Sequence, residues 1–245
     1  MKKRSLDKEF NSFDFFSMEE AVQTKKQIIE LRSCWRKPWS DTENLSRPFF
    51  TLGAPSYPYS FAGMNIHDYL QISAEYNLVL KEHFSHQYHR IASFFEDTLG
   101  DRVILNPCGF SYPGFHIFLG HPDFQSSENG FHADCQHYFL PWPKKVQYNE
   151  HWTFTIAVSI PKSGAYFEWK TVPYLSKKLL GDHGLQEALE NVETHTRSYE
   201  IGKIVIHSGL FFHRIGAWKS VDPDDSRITL QGHLVKVSNE WLLYW

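Results

Sequence analysis

Cysteine is scarce: Cys34, Cys108 and Cys135 are the only three in 245 residues, an odd number with no paired spacing. That argues against a disulfide-stapled framework and points to a reducing, cytoplasmic setting. Long apolar runs are missing as well. No stretch approaches the ~20 residues of a membrane span, and the basic start MKKR leads into the charged SLDKEFNSFDFF rather than an apolar core. Neither a signal peptide nor a membrane anchor is expected. Positive charge is not in excess: the formal net charge is −3, so the electrostatic footprint of a nucleic-acid or anionic-membrane binder is absent. The Lys144-Lys145 pair is too short to restore it. There is no internal repeat and no low-complexity tract. Aromatic residues, by contrast, are plentiful at 16% within a 42% hydrophobic content, with 22% charged residues. Such a chain can pack a core and is not of the disordered class.

The order of patterns along the chain predicts helices first and strands after. Residues 1–16 read as an irregular arm. Ser17 and Glu20 form a capping-box pattern ahead of a helix at about 18–33, with Ala21, Ile28 and Trp35 on one stripe and Val22 and Ile29 on its neighbour. Pro38 ends it. Residues 36–64 are rich in Pro, Gly and Ser and read as a loop with short extended pieces such as Phe49–Leu52. Tyr69, Ile72, Tyr76, Leu80, Phe84, Tyr88, Ile91 and Phe95 then recur every three or four residues, which predicts a long helix capped by Asn65 or Asp68, broken near Asn77 or Ser85 and stopped at Gly100. His83, His86 and His89 on it have no carboxylate or cysteine at ligand spacing and read as an exposed edge. From residue 102 the segments VIL, GFHIFLG, HADCQHYFL, WTFTIAVSI, AYFEWK, YEIGKIVIH, LFFHRIG and RITLQGHLVKVS predict about eight strands, interrupted by a polar insertion, TVPYLSKKLLGDHGLQEALENVETH, with a short helix. The expected fold is α+β: one domain over 1–245, with a helical and loop N-terminal part (1–100) supporting a double-sheet jelly roll (101–245).

Two His-x-Asp pairs stand out, where a chain of this composition holds about 0.7 by chance. His121-Pro122-Asp123 carries a proline that cannot join a strand ladder and opens a polar loop. His132-Ala133-Asp134 follows the turn Glu128-Asn129-Gly130 and opens an aromatic strand, whose i and i+2 side chains share a face. The second pair is favoured. Among the downstream histidines, His213 lies inside the strand LFFHRIG and is preferred over His207, His137, His151, His183, His195 and His233. Two imidazoles and one carboxylate with open positions form the ligand set of non-haem Fe(II) oxygenases. Cys135, adjacent to Asp134, reads as a buried small apolar residue. Arg227 and Thr229 share a strand face after the turn Asp222–Asp225, where a guanidinium fork suits a carboxylate-bearing co-substrate. The competing role for Arg227 is an ion pair with Asp224 or Asp225.

These pieces in this order resemble the Fe(II)/2-oxoglutarate-dependent dioxygenase superfamily, over roughly residues 100–240. The resemblance implies a double-stranded β-helix in which His132, Asp134 and His213 hold Fe(II), and Arg227 with Thr229 binds the distal carboxylate of 2-oxoglutarate. A polar residue on the preceding strand, His116 or Tyr112, would assist. It further implies O2 as oxidant, ascorbate as reductant, and hydroxylation of an unactivated C–H bond in a small molecule (amino acid, small peptide or natural-product intermediate) with release of succinate and CO2. Aromatic segments at 36–64 and in HYFLPWP serve either as a lid or as core. Asp134 stands where related halogenases carry Gly or Ala, which favours hydroxylation, desaturation or ring closure. The nucleic-acid demethylase branch has a second arginine where His233 stands. Rival readings are an iron oxidase of the isopenicillin N synthase branch that uses no 2-oxoglutarate, a non-catalytic jelly-roll ligand-binding module, and a zinc hydrolase, for which no adjacent general base is evident.

Overall fold

Strand β1 (Asn11–Asp14) replaces the irregular arm expected at the N-terminus. The computed structural model describes residues 5–38, 47–58, 65–125, 130–142 and 145–245. The MKKR start, Lys144, Glu128 and Asn129 of the turn, and 39–46 and 59–64 of the proline-rich loop lie outside them. The capping box forms as the sequence predicts: the Glu20 N–H donates to Ser17 Oγ (3.1 Å) and the Ser17 N–H to Glu20 Oε2 (2.7 Å). Helix α1 (Met18–Glu30) buries Ala21, Thr24 and Ile28. Its second stripe stays in solvent, with Val22 57% and Ile29 42% exposed, because only one face of the helix meets the sheet. The helix also ends well before Pro38, in a 3-10 turn at Arg32–Cys34.

Strand β2 (Phe49–Leu52) precedes helix α2 (Ile66–Leu99). Asn65 Oδ1 accepts the His67 N–H at 3.0 Å, and Gly100 closes the helix at φ 80°. The expected break falls at Phe84 (φ −128°, ψ 16°), beside Ser85, whose hydroxyl donates to the Lys81 carbonyl. Leu80, Phe84, Tyr88, Ile91 and Phe95 are buried in one cluster with Phe115, Ile117, Phe154, Ile156, Ile228 and Leu230 of the sheet above. Each such side chain contributes about 1.5–3 kcal/mol by leaving water.

The remaining strands are β3 (Arg102–Leu105), β4 (Gly114–Leu119), β5 (Val146–Ser159), β6 (Tyr166–Pro173), β7 (His195–Ser198), β8 (Lys203–His207), β9 (Phe211–Ile215), β10 (Ser226–Val237) and β11 (Glu240–Tyr244), with helix α3 (Ser176–Asn191) between β6 and β7. The large sheet runs β1-β8-β5-β10-β11-β3, with β4 on β10 and β2 on β4; β7-β6-β9 form a second, three-stranded sheet. The N-terminal hundred residues therefore supply two strands to the large sheet as well as helices and loops. The β-sheet period of two gives β10 two different faces. Ile228, Leu230 and Leu234 join the α2 core, while Arg227, Thr229, Gln231 and His233 point the other way, toward the smaller sheet. Across that interior, Ala157 and Val205 pack on Phe167, Trp169 and Tyr199.

One expected strand is absent. The segment HADCQHYFL makes a single antiparallel bridge, His132 with His213, and then turns into a 3-10 helix at Gln136–Tyr138. Its rings are drawn to tertiary partners: His137 stacks on His151 (4.2 Å, 13°) and Tyr138 on Tyr148 (4.8 Å, 5°). That packing outweighs the strand preference of the aromatic run. The HYFLPWP segment serves the core rather than a lid, since the Trp142 ring sits 5.1 Å from Phe110 and 5.2 Å from Tyr244.

Gly114 leaves room for Trp245, whose ring a Cβ there would approach to 1.9 Å. Gly114→Ala is expected to destabilise the protein by about 1–3 kcal/mol, the usual range for overpacking. Thermal melting measures it, and an unchanged midpoint would show that Trp245 relocates without cost.

Candidate metal centre and co-substrate pocket

Three backbone hydrogen bonds clamp the segment around Asp134 to the loop before β9 and to β9 itself. The His132 N–H donates to the His213 carbonyl (2.9 Å), the His213 N–H to the His132 carbonyl (2.8 Å), and the Asp134 N–H to the Gly209 carbonyl (2.7 Å). Gly209 adopts φ 71°, and a Cβ there would lie 2.5 Å from Thr153 Oγ1 and 3.0 Å from the Asp134 Cβ. Only glycine suits this crowded left-handed position. The result is that His132, Asp134 and His213 each offer a ligand atom within 4.8 Å of the others. It is the one such group of three found among the described residues. His121 and Asp123 pair with each other at 3.3 Å elsewhere. The histidines at 83, 86 and 89 belong to no cluster, and Cys135 is buried and outside the triad.

Both imidazoles are oriented by the nitrogen that faces away. His132 Nδ1 donates to the Gly130 carbonyl (3.2 Å) and His213 Nδ1 to the Phe211 carbonyl (2.8 Å), so each Nε2 is left with a lone pair. Asp134 is held from behind by a buried chain. Thr153 Oγ1 donates to Asp134 Oδ2 (2.8 Å), accepts from His233 Nδ1 (3.0 Å), and His233 Nε2 accepts from Gln136 Nε2 (2.6 Å). Burial alone would raise the Asp134 carboxyl, but His213, 3.4 Å away, and His233 hold it well below the usual carboxylate range. Burial likewise opposes protonation of His213, and the Asp134 charge outweighs it, raising the imidazole. An anionic carboxylate beside two imidazoles suits a divalent first-row metal.

Arg227 is fully buried, and none of its three guanidinium nitrogens has a hydrogen-bond partner among the described residues. It pairs with neither Asp224 nor Asp225. Its guanidinium lies instead between the rings of Phe118 (5.4 Å) and Tyr199 (5.1 Å). A buried charge without a partner is costly, and a group of this kind marks a place for an anion. Burial lowers its pKa, partly opposed by the Tyr199 phenol. Thr229, two residues on, accepts from Gln231 Nε2 at 3.2 Å. His116 is paired across the ladder with Thr229 and hydrogen-bonded through Nε2 to the Tyr57 hydroxyl at 3.1 Å; its Nδ1 is buried and unpartnered. Burial, reinforced by Arg227, pushes the His116 pKa down to about 3, so the ring is neutral. Tyr112, the other candidate for this role, stacks on Tyr88 and belongs to the α2 core.

A cavity of about 660 Å³ joins these parts, lined by the triad, His116, Phe118, Tyr199 and Gln231. Arg227 and Thr229 stand just behind that lining. Lys37, Pro38, Arg47, Phe49 and Tyr57 from the 36–64 loop also line it, which agrees with a covering role for that loop. Several contributors are not singled out by motif: Thr153, Gln136, Gly209 and His233. The signal was the period-two polarity of His151-x-Thr153-x-Thr155 and Thr229-x-Gln231-x-His233 inside apolar strands.

No protein-family model matches the chain, and no curated protein matches it in sequence. Solved structures do match. The N-substituted L-amino acid dioxygenase from Burkholderia ambifaria AMMD superposes with a TM-score of 0.60 at 13% identity, covering 97% of this chain and 86% of that one. Its complex with alpha-KG gives a TM-score of 0.56 at 11% identity, with the same coverage. At such identities the likeness establishes a common fold. It agrees with the resemblance read from the His-x-Asp, His213 and Arg227-x-Thr229 motifs.

Thr153→Val keeps the shape and removes the hydroxyl that orients Asp134. Affinity for Ni(II), measured by titration calorimetry, is expected to fall about 10–100-fold, the range for lost outer-shell support, while Thr153→Ser retains it. Unchanged affinity in the valine variant would remove Thr153 from this role. A second expectation concerns acid. Five buried histidines, His116, His137, His151, His207 and His233, are lowered by burial, and only His213 is raised. Below pH ~6.5 the unfolded chain takes up protons that the folded chain refuses, so stability falls as pH falls, by up to about 1.4 kcal/mol per pH unit for each histidine. Melting of the metal-free protein between pH 7.5 and 5 checks the slope; a flat profile would contradict it.

Proposed function

We propose that the protein is a non-haem Fe(II)- and 2-oxoglutarate-dependent dioxygenase that hydroxylates an unactivated C–H bond of a small molecule, releasing succinate and CO2. We read its two sheets as a double-stranded β-helix, and residues 1–245 as one oxygenase domain acting in the cytoplasm. The observation that carries this reading is a pairing: a His-Asp-His group with ligand atoms within 4.8 Å, and a buried guanidinium that lacks an anion. The dioxygenase fold shared with an alpha-KG complex supports it.

The metal and co-substrate, when bound, supply the oxidising chemistry with O2 that side chains lack. The chain supplies everything else. His132 and His213 present their Nε2 atoms, and Asp134 adds one negative charge, held in place by Thr153. Three protein ligands leave open positions, as oxygen chemistry requires. Arg227, with Thr229, takes the distal carboxylate of 2-oxoglutarate, and neutral His116 with Tyr57 forms the adjoining polar wall. Because Arg227 is fully buried, a carboxylate touches it only after Phe118 or Tyr199 shifts, a side-chain movement of the kind common on ligand binding. The aromatic walls keep water from the reacting centre.

Succinate release with Fe(II), ascorbate and 2-oxoglutarate, screened over amino acids, small peptides and natural-product acids, is the primary test. Asp134→Ala is expected to abolish it. Arg227→Ala is expected to raise the Michaelis constant for 2-oxoglutarate by about tenfold or more, as for a lost charge-assisted contact, and to cancel the rise in melting temperature that 2-oxoglutarate gives the wild type. Complete turnover without 2-oxoglutarate would favour the iron-oxidase reading, in which Arg227 and Thr229 hold a carboxylate of the substrate itself. Absence of metal binding would favour a non-catalytic ligand-binding module.

A further inference from the structure

We propose that the substrate is a small carboxylic acid with an apolar, non-ammonium body, its carboxylate held by Arg214 beside the metal centre. This rests on the dioxygenase reading and narrows its substrate class. The bridge that joins His132 to His213 also fixes the residues next to them: Phe131 precedes the first histidine and Arg214 follows the second, and both line the cavity. Consecutive Cα atoms are ~3.8 Å apart, so whatever Arg214 holds lies close to the triad.

Arg214 is oriented on two sides and free on the third. Glu168, its ladder partner on β6, accepts from Arg214 Nε at 2.7 Å, with both side chains mostly buried. The guanidinium face lies on the Phe131 ring at 4.4 Å. Phe131 is itself backed by Lys170 at 5.3 Å, whose ammonium is tied to the Val192 carbonyl at 2.6 Å. The two terminal nitrogens of Arg214 make no hydrogen bond among the described residues. A guanidinium fixed through Nε and through its face presents the edge that suits a carboxylate. Near it, Phe124, Phe167, Phe212 and Ile215 form an apolar wall. Lys177 at the rim adds a cation whose pairing with Asp182 (3.4 Å) is solvent-exposed and weak.

The complementary observation is a shortage of anions. Asp134 is the sole carboxylate among the described lining residues, and it is committed to the triad and to Thr153. A substrate ammonium would enter without a charged partner, which is unfavourable in an aromatic enclosure. The site thus selects an acid that lacks a free amino group, and disfavours the free amino acids that size alone would admit.

The full chain, loaded with Ni(II) and 2-oxoglutarate, is titrated calorimetrically with 3-phenylpropanoate, 3-phenylpropanamide and phenylalanine. These differ by the carboxylate or by the ammonium only. The acid is expected to bind about tenfold or more tightly than either, the scale of one charge-assisted contact. Arg214→Gln should bring the acid down to the level of the amide, and Arg214→Lys should recover part of the difference. Failure of the acid to bind, equal affinities for acid and amide, tighter binding of phenylalanine, or an unchanged acid affinity in Arg214→Gln would each overturn the proposal. Should the glutamine variant not fold, the three-ligand comparison on the wild type decides alone. Failure of Ni(II) or 2-oxoglutarate to bind the wild type is a different result, and would overturn the dioxygenase reading instead.

Discussion

The antiparallel bridge between His132 and His213 is the constraint on which the rest depends. Its two reciprocal hydrogen bonds, 2.9 and 2.8 Å, bring together segments remote in sequence and give both imidazoles their position. The third clamp, from Asp134 to the Gly209 carbonyl, works only because residue 209 has no side chain. The same few atoms place Phe131 and Arg214. A site built this way is precise without a long strand, since the bridge borrows rigidity from β9 and its sheet.

Strand β10 performs the second organising task. One face anchors the sheet to helix α2 through Ile228, Leu230 and Leu234, and the other carries Arg227, Thr229, Gln231 and His233. A one-residue slip would exchange these faces and bury four polar side chains against an apolar helix. The register that stabilises the core is therefore the register that assembles the site. This coupling explains why so many ionisable side chains are tolerated inside: each faces a ladder of hydroxyls, amides and imidazoles rather than hydrocarbon.

Much of this was legible in the residues. Period-3.6 apolar spacing located α2 and its break at Phe84, and Asn65 and Gly100 marked its ends. The triad and the Arg227-x-Thr229 pair were found because their residue types and order carry chemistry. The argument for the first pair was nevertheless partly wrong in its structure: His132 and Asp134 do converge, but from a bridge and a turn rather than a strand, since ring stacking of His137 and Tyr138 governs that segment. Strand β1 was missed because its pairing with β8 is a long-range contact with no local signature in NSFD. Strands β7 and β11 were missed for similar reasons, β11 being returned by a tight hairpin at Ser238 (φ 56°). The supporting chain of Thr153, His233 and Gln136 was written only as alternating polarity, which shows a direction of facing but names no partner.

The enclosed guanidinium of Arg227 carries an implication for the life of the protein in a cell. An anion that satisfies it binds the native chain and not the unfolded one, so by mass action it adds about 2.7 kcal/mol at a hundred times its dissociation constant. Differences of that size change how often a chain opens to proteases, and hence how much of it accumulates. Abundance would then follow the supply of a metabolite, coupling degradation to nutrient status through one unpaired side chain.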